Sequence, residues 1–573
     1  MITLPTLPQR KTKTETTSAF LGYHRAPDAP NGALYDTENL SARRYPHLAT
    51  RSPRGLYAQT NAAQTLIAHD PLCYIDGSAF VIGARRIEMG LTVGEKQTAA
   101  FGGTIVILPD RKYIRPADGS WGDIDAQAAS PEGTRATLTL CRADGSTITP
   151  LTAPAENPKG GELWLDTSDL TPTLYRYAPD SERWERVPDT YIRLHARGIG
   201  APFRPGDGIT LRGLTPPDLK DLNATHLLIA CGEDHLVFRG ILKRPYAQTA
   251  PIIAERRMPD LDCITAVGDR LWGAFCGTDE ETGETVCHLR ASRAGDPFNW
   301  NGTDNSASDP VTIPLPPDGA FTGACDYLGA PLFFREARIH RVTGSKPTDF
   351  RVRTLACDGV EAGSAKSLCL IGKTLYYKSP TAVCAYRGDL PEPVSAPLGD
   401  TSYHAAAGGA LGEIYYISME EENGIPHLFT LDTRRGIWYR EDTTRAKAFA
   451  GCRDELYYID AVSAAIRSVR GSGSPDPTPF TWMAETAPIA ANPPDRCRLS
   501  RIDIRLCLPP ASRLDCFVEY DSGGIWQHLH TVHGQPAPQV EIPIRPRPCH
   551  HLRLRLVGRG EAEILSITKT LTE

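Results

Sequence analysis

The decisive stretch of this chain runs from Ala320 to Gly471, and it makes one move four times. A short apolar run ends in bulky residues at Leu332-Phe333-Phe334, Leu375-Tyr376-Tyr377, Ile414-Tyr415-Tyr416 and Leu456-Tyr457-Tyr458. A second run follows each: Ile339-His340-Arg341-Val342, Val383-Cys384-Ala385-Tyr386, Leu428-Phe429-Thr430-Leu431 and Ala465-Ile466-Arg467-Ser468-Val469. A turn then comes at Gly344, Gly388, Gly436 or Gly471. The steps from Phe333 to Tyr376, Tyr415 and Tyr457 are 43, 39 and 42 residues, close to the ~40 residues of one four-stranded propeller blade. Aromatic and β-branched pairs suit strands buried on both faces, and glycine supplies the turns. A repeat of this length cannot bury its own apolar face and must stack on its neighbours.

Working outward, two more units of this kind precede the stretch. Leu72-Cys73-Tyr74-Ile75 turns at Asp76-Gly77 into Ala79-Phe80-Val81-Ile82, and Ala99-Ala100-Phe101 turns at Gly102-Gly103 into Thr104-Ile105-Val106-Ile107-Leu108. Asp-Gly and Gly-Gly are strong hairpin signals. The period then breaks, because 166 residues separate Val106 from Trp272, far more than one blade absorbs. Residues 132–245 therefore read as an inserted β domain, a small barrel or sandwich. Its strands are expected at Ala136–Leu140, Leu163–Leu165, Tyr191–Leu194, Ile209–Leu211 and Leu227–Ala230. The blades resume at Cys263-Ile264-Thr265-Ala266-Val267. Two units before the insertion and five after it make about seven blades. The count becomes six or eight if the N-terminal arm or the C-terminal linker shares a blade.

The ends of the chain read differently. Residues 1–55 are Pro-rich and without period, an extended N-terminal arm that packs on the body. Gly471-Ser472-Gly473-Ser474-Pro475 reads as a linker. Beyond it, Arg501 to Leu508 alternates cleanly and puts Ile502, Ile504, Leu506 and Leu508 on one face. Leu514–Tyr520 and His551–Val557 repeat the pattern. The fold class is thus all-β: propeller blades at 56–131 and 246–475, the inserted domain at 132–245, and an antiparallel β-sandwich at 476–573.

Composition narrows the function classes. A net charge of −6 on 573 residues does not suit a large nucleic-acid-binding face, which needs clustered Lys and Arg. The pairs Arg43-Arg44 and Arg256-Arg257 are isolated and read as solvated charge. Fifteen cysteines are spread singly, with no C-x-x-C and no zinc-like spacing. Several, such as Cys369, Cys384 and Cys516, sit in apolar runs as small hydrophobes. Their odd number points to reduced thiols and cytosolic synthesis. The N-terminus, with Arg10, Lys11 and Lys13, lacks the apolar core of a signal peptide, and no stretch approaches a membrane span.

Chemistry-bearing motifs are few. The chain shows no G-x-S-x-G, H-E-x-x-H, P-loop or dinucleotide fingerprint. His340, His404, His427 and His550-His551 share no local catalytic frame and read as packed or solvated residues. Asp521-Ser522-Gly523-Gly524-Ile525-Trp526 matches the D-x-G-x-x-W part of the Asp-box of sialidase-type propellers. Glu519 stands where that box has Ser or Thr, so a plain hairpin turn is expected. Asp118-Gly119-Ser120-Trp121 is a similar turn. Glu420-Glu421-Glu422 reads as a solvated turn. Trp164, Tyr175, Tyr177 and Trp184 alternate with charge and read as core, with stacking on sugars as the other role. Neither catalytic, metal-ligating nor cofactor-binding residues are assigned, and no enzyme is expected. A propeller glycosidase would need an acid pair, and none stands out.

Several of these phrases resemble blade signatures of bacteriophage virion propeller proteins. They are Gly295-Asp296-Pro297-Phe298-Asn299-Trp300, Leu332–Glu336 with Ile339–Gly344, Gly363–Ser367 with Leu375–Ser379, and Leu428–Asp432 with Gly436-Ile437-Trp438. Tyr35–Leu40 and Tyr520-Asp521 with Trp526 also look like parts of the pattern. The group resembled is that of tail-associated proteins of phages and prophages of Gram-positive bacteria, similar in layout to the nozzle, or packaged-DNA stabilisation, proteins of short-tailed phages. The resemblance covers most of the chain except the insertion. It implies a structural role in the virion tail, as a homo-oligomeric ring, six-fold by resemblance, beside other tail proteins. It further implies transient passage of DNA without sequence-specific binding, and assembly in the host cytoplasm. A mildly acidic wall suits a sliding polyanion. The alternative is a tail-tip propeller that binds a receptor or carbohydrate.

Overall fold

The computed structural model describes residues 12–26, 29–169, 171–279, 283–476, 480–490, 496–534 and 539–572. Residues 1–11, including Arg10 and Lys11, lie outside these. Among the described residues the chain is all-β, with helix confined to four short 3₁₀ turns, and none of its helices is long and apolar enough to cross a membrane. Six four-stranded sheets and one five-stranded sheet have the blade form, so the count of seven stands. The blades fall at residues 63–88, 97–123, 263–314, 323–356, 369–393, 403–442, and 446–475 with 55–58. The recurring bulky pairs occupy the second strand of their blades: Ala330–Arg335, Thr374–Lys378, Ile414–Glu421 and Glu455–Asp460. Gly344, Gly388, Gly436 and Gly471 all take the positive φ that the turns demand.

The chain divides into two compact units. The first comprises Met1–Glu95, Phe334–Ile339 and Thr354–Glu573. Its blades stack through shared apolar layers, one of them built from Tyr376, Tyr415, Ile417, Phe429 and Trp438. Trp438 is fully buried, and its indole N–H donates to the Val394 carbonyl at 2.9 Å. The last blade is completed from the start of the chain: Gly55–Ala58 pairs antiparallel with Ile466–Ser468. Ser474–Pro475, expected in a linker, pairs with Leu56 and Gly55 on the other edge. Thus arm and linker both share the seventh blade, and they add no eighth.

The sandwich belongs to the same unit. One sheet runs Leu40–Ser41, Leu48–Thr50, Glu563–Thr572, Cys497–Cys507, Gln539–Ile542, with Thr12–Thr17 also on Glu563–Thr572. The other runs Leu34–Glu38, Thr481–Thr486, Leu552–Arg559, Arg513–Tyr520, Gln527–His533. Residues expected as an extended arm therefore supply strands to both sheets. Ile502, Ile504, Leu506 and Leu508 face inward as their alternation requires, opposite Leu514, Val518, Leu554 and Leu556. Gly558 stands opposite Trp482, whose ring lies over it; a Cβ there would come within 2.0 Å of the indole.

The second unit comprises Lys96–Phe333 and His340–Arg353. Its inserted domain is an eight-stranded sheet with a three-stranded sheet beside it. The eight strands include Ala126–Ala129 and Ile253–Arg256, which pair with each other and lie outside the expected 132–245. Entry and exit thus meet in one antiparallel pair. Arg256, expected as solvated charge, is buried: it bonds Asp207 at 2.6 Å and the Ile124 carbonyl. Burying a guanidinium requires such partners. The Gly295–Trp300 phrase holds the same root, since Asn299 is fully buried and its amide donates to the Gly206 carbonyl at 3.1 Å.

Two outcomes follow from this packing. Trp438→Ala removes a fully buried indole and lowers stability by about 3–5 kcal/mol in chemical denaturation; an unchanged midpoint would place the residue outside the core. His288 lies opposite Phe275 in the third blade, and burial, aided by Arg290, pushes its pKa down to about 4 from 6.5. The unfolded chain takes up this proton before the folded one does, so stability is full above pH 6.5 and falls as pH drops toward 4. Urea unfolding of H288Q between these limits is expected to show a shallower decline than the parent.

Candidate functional site

The three-stranded sheet of the inserted domain carries an unusual surface. Leu163–Asp166, Thr173–Ala178 and Arg183–Arg186 pair in register, with Trp164 opposite Tyr175, Tyr175 opposite Arg186, and Tyr177 opposite Trp184. Alternation sends Leu165 and Leu174 to the other face, where they join the domain core. The four aromatic residues share the outward face and are half-buried. Trp164 and Tyr175 stack with centroids 5.0 Å apart and planes at 20°, and Trp184 meets Trp164 at 5.8 Å and Tyr177 at 5.5 Å, both edge-on. The expectation that these residues are core is thus corrected. The core side of so thin a sheet is already filled by leucines, and their partners are one another.

Behind the sheet lies a cleft of about 460 Å³, between it and the edge of the eight-stranded sheet. Leu163 and Leu174 form its apolar floor, and Arg142, Arg176, Glu185 and Asp189 its charged rim. One small element therefore offers an aromatic cluster on one side and a charged cleft on the other. Aromatic faces take the C–H faces of sugars or other flat apolar groups, while rim charges and amides orient the polar edge.

The other sequence candidates lie apart. His340 is buried with its ring 5.9 Å from Phe321. His404 Nδ1 lies 2.8 Å from Glu361 Oε1, which Lys378 Nζ also reaches at 3.4 Å, while the Ser364 hydroxyl donates to Oε2 at 2.7 Å. Burial pushes the Lys378 ammonium below its ordinary range, with Glu361 opposing. Both carboxylate oxygens are occupied, so this trio cross-links the 361–367 segment to two neighbouring strands. Glu420 and Glu421 are not a solvated turn: they end a strand, Glu420 pairing with Arg445 and Glu421 with His427 Nε2 at 2.7 Å. Burial holds the His427 imidazole below its usual value, against the pull of Glu421.

The Asp-box-like phrase joins Arg513–Tyr520 to Gln527–His533 as a hairpin turn. Asp521 Oδ1 accepts the His550 and His551 N–H groups, Ser522 Oγ meets His551 Nε2 at 2.8 Å, and Gly524 N–H donates to Glu519 at 2.7 Å. Arg555 lies over the Trp526 ring at 3.9 Å. Asp118 likewise caps its own turn through the Ser120 N–H. Sequence reasoning missed the strands Thr173–Ala178 and Arg183–Arg186; the alternation Leu174-Tyr175-Arg176-Tyr177 was the signal that would have found the first.

No protein-family profile and no curated protein matches this chain. Among solved structures it is similar to an exo-β-1,3-galactanase from Phanerochaete chrysosporium with galactose, at 10% identity and TM-score 0.21, over 53% of this chain and 94% of that one. It is similar to the phage phi92 endosialidase at 9% identity and TM-score 0.22, over 89% and 80%. The extracellular domain of a two-component system from B. thetaiotaomicron gives 10% and 0.22, over 94% and 98%. At these scores the likenesses transfer neither activity nor substrate. They do overturn one expectation: with a galactanase and an endosialidase among the similar structures, the exclusion of an enzyme is withdrawn.

Because the aromatic face is half-exposed, truncating it is expected to be mild. Trp184→Ala removes cross-strand contacts that contribute about 0.2–1 kcal/mol each, and its melting temperature is expected to stay far closer to the parent than that of Trp438→Ala. A collapse as large as that of the core variant would assign the face to packing alone.

Proposed function

We propose that this chain is a structural protein of a bacteriophage tail whose inserted domain engages a carbohydrate. The tail assignment is supported by the blade phrases that resemble virion propellers. The carbohydrate reading rests on one observation: Trp164, Tyr175, Tyr177 and Trp184 gather on the outward face of a sheet whose other face already fills the core. Surfaces that only separate core from water seldom carry four large aromatics together, and such patches mark binding sites. A tail protein that meets the host envelope meets its polysaccharides first.

The second reading is a ring of copies around passing DNA, at a nozzle or head–tail channel. The layout resemblance and the net charge of −6 favour it.

Retention on Gram-positive cell-wall polysaccharide tests the first reading. The parent chain is expected to be retained, and a Trp164→Ala/Trp184→Ala double variant, still folded by circular dichroism, is expected to lose at least tenfold in affinity. Equal retention of both would remove the aromatic face from the function. Electron microscopy of particles labelled with antibody to this chain decides the placement: label at the tail tip supports the first reading, and a closed ring with a central pore supports the second. Absence of label from the tail would sink the virion assignment itself.

A further inference from the structure

None of the fifteen cysteines forms a disulfide, yet two buried ones in the sandwich stand as a pair. Cys497 opens the long strand Cys497–Cys507 of the sandwich, and Cys549 closes the two-residue strand Pro548–Cys549; the two residues stand directly opposite in the antiparallel register. Their sulfurs are 3.9 Å apart and both residues are buried. Directly opposed residues of an antiparallel pair keep Cα atoms ~4.5–5.5 Å apart, inside the ~4.4–6.8 Å that a disulfide spans. Side-chain rotation alone can therefore bring the sulfurs to bonding distance, without moving either strand.

We propose that Cys497 and Cys549 are a modification site: a cross-strand disulfide that forms when the folded protein meets a low-molecular-weight disulfide in an oxidising medium. The step is two successive exchanges. One cysteine, deprotonated, attacks glutathione disulfide and releases one glutathione thiolate. The second thiolate then attacks the mixed disulfide and releases the other. The two cysteine sulfurs lose two electrons and two protons, and one glutathione disulfide becomes two reduced glutathiones.

The surroundings explain why the pair persists as thiols until such a medium is met. Burial, with Cys497 adding to it, pushes the Cys549 thiol up to about 12, so little thiolate exists in the closed state. Entry is through Cys549: its strand has only two residues, and the preceding 543–547 segment is mostly exposed. Brief opening of that short strand exposes the sulfur without unfolding the sandwich. The bond would tie positions 52 apart in sequence and restrict the unfolded chain accordingly.

The full-length protein incubated with glutathione disulfide, alkylated, and digested without reduction tests this. The expected product is a linked peptide pair containing Cys497 and Cys549, two hydrogens lighter than the sum of its parts, with a melting temperature above that of the reduced protein. C497S and C549S are each expected to lose that species and to trap glutathione on the remaining cysteine. Cys276 and Cys287 also stand opposite each other, across two blade strands, and provide an internal comparison. Recovery of Cys497 and Cys549 both alkylated after prolonged exposure of folded protein, or a bond from either to another cysteine, would overturn the proposal.

Discussion

The buried guanidinium of Arg54 is the constraint on which the first unit depends. It sits one residue before the strand Gly55–Ala58 that completes the seventh blade, and it bonds Glu441 at 2.9 Å and Asp442 at 2.7 Å at the end of the sixth. Its Nη1 also donates to the Thr444 hydroxyl, and the Tyr458 ring lies 5.5 Å from its carbon. Burial acts to raise the Asp442 carboxyl, but the charges of Arg54 and Arg51 outweigh it and hold that group below its ordinary range. A charge so enclosed is stable only with its counterions in place, since losing one partner leaves the other uncompensated. The start of the chain is thereby committed to one position between two blades built from its far end.

The same logic ties the sandwich to the blades of that unit. Thr37 and Arg440 exchange hydrogen bonds through backbone and hydroxyl, Arg440 bonds Asp36 at 2.8 Å, and Asn39 donates to the Glu441 carbonyl. Ile437 and Tyr439, from the outer strand of the sixth blade, complete the sandwich core. The segment from Leu34 to Thr50 is therefore shared structure, a third partner between blades and sandwich in that unit. In the second unit the insertion is rooted by an equivalent device, the buried Arg256–Asp207 pair beside Asn299. In both places a polar contact fixes orientation where apolar layers alone would tolerate sliding.

Against these closed polar contacts the outward face of the three-stranded sheet stands out. Its aromatic residues are half-buried and pack on one another, and its cleft keeps a charged rim. Elsewhere the titratable candidates have been absorbed into architecture: Glu361 holds a loop, Glu421 holds His427, and Asp521 holds the backbone of two histidines. A carboxylate whose oxygens are filled by its own fold serves that fold first.

The amino-acid sequence by itself determined the all-β class, the ~40-residue repeat with its seven units, the break at the insertion and the inward faces of the C-terminal strands. Each of these is written in local periodicity: bulky pairs every 39 to 43 residues, glycines at the turns, and the alternation of Ile502, Ile504 and Leu506. Only the tertiary structure decided that Gly55–Ala58 joins the last blade, that the aperiodic arm supplies sandwich strands, that Arg256 is buried and that Trp164, Tyr175, Tyr177 and Trp184 face outward. Those outcomes depend on partners hundreds of residues away, or on which face of a short strand finds a core already filled. A strand lacking its own alternation takes its place from the edge it pairs with, and its sequence carries no record of that edge.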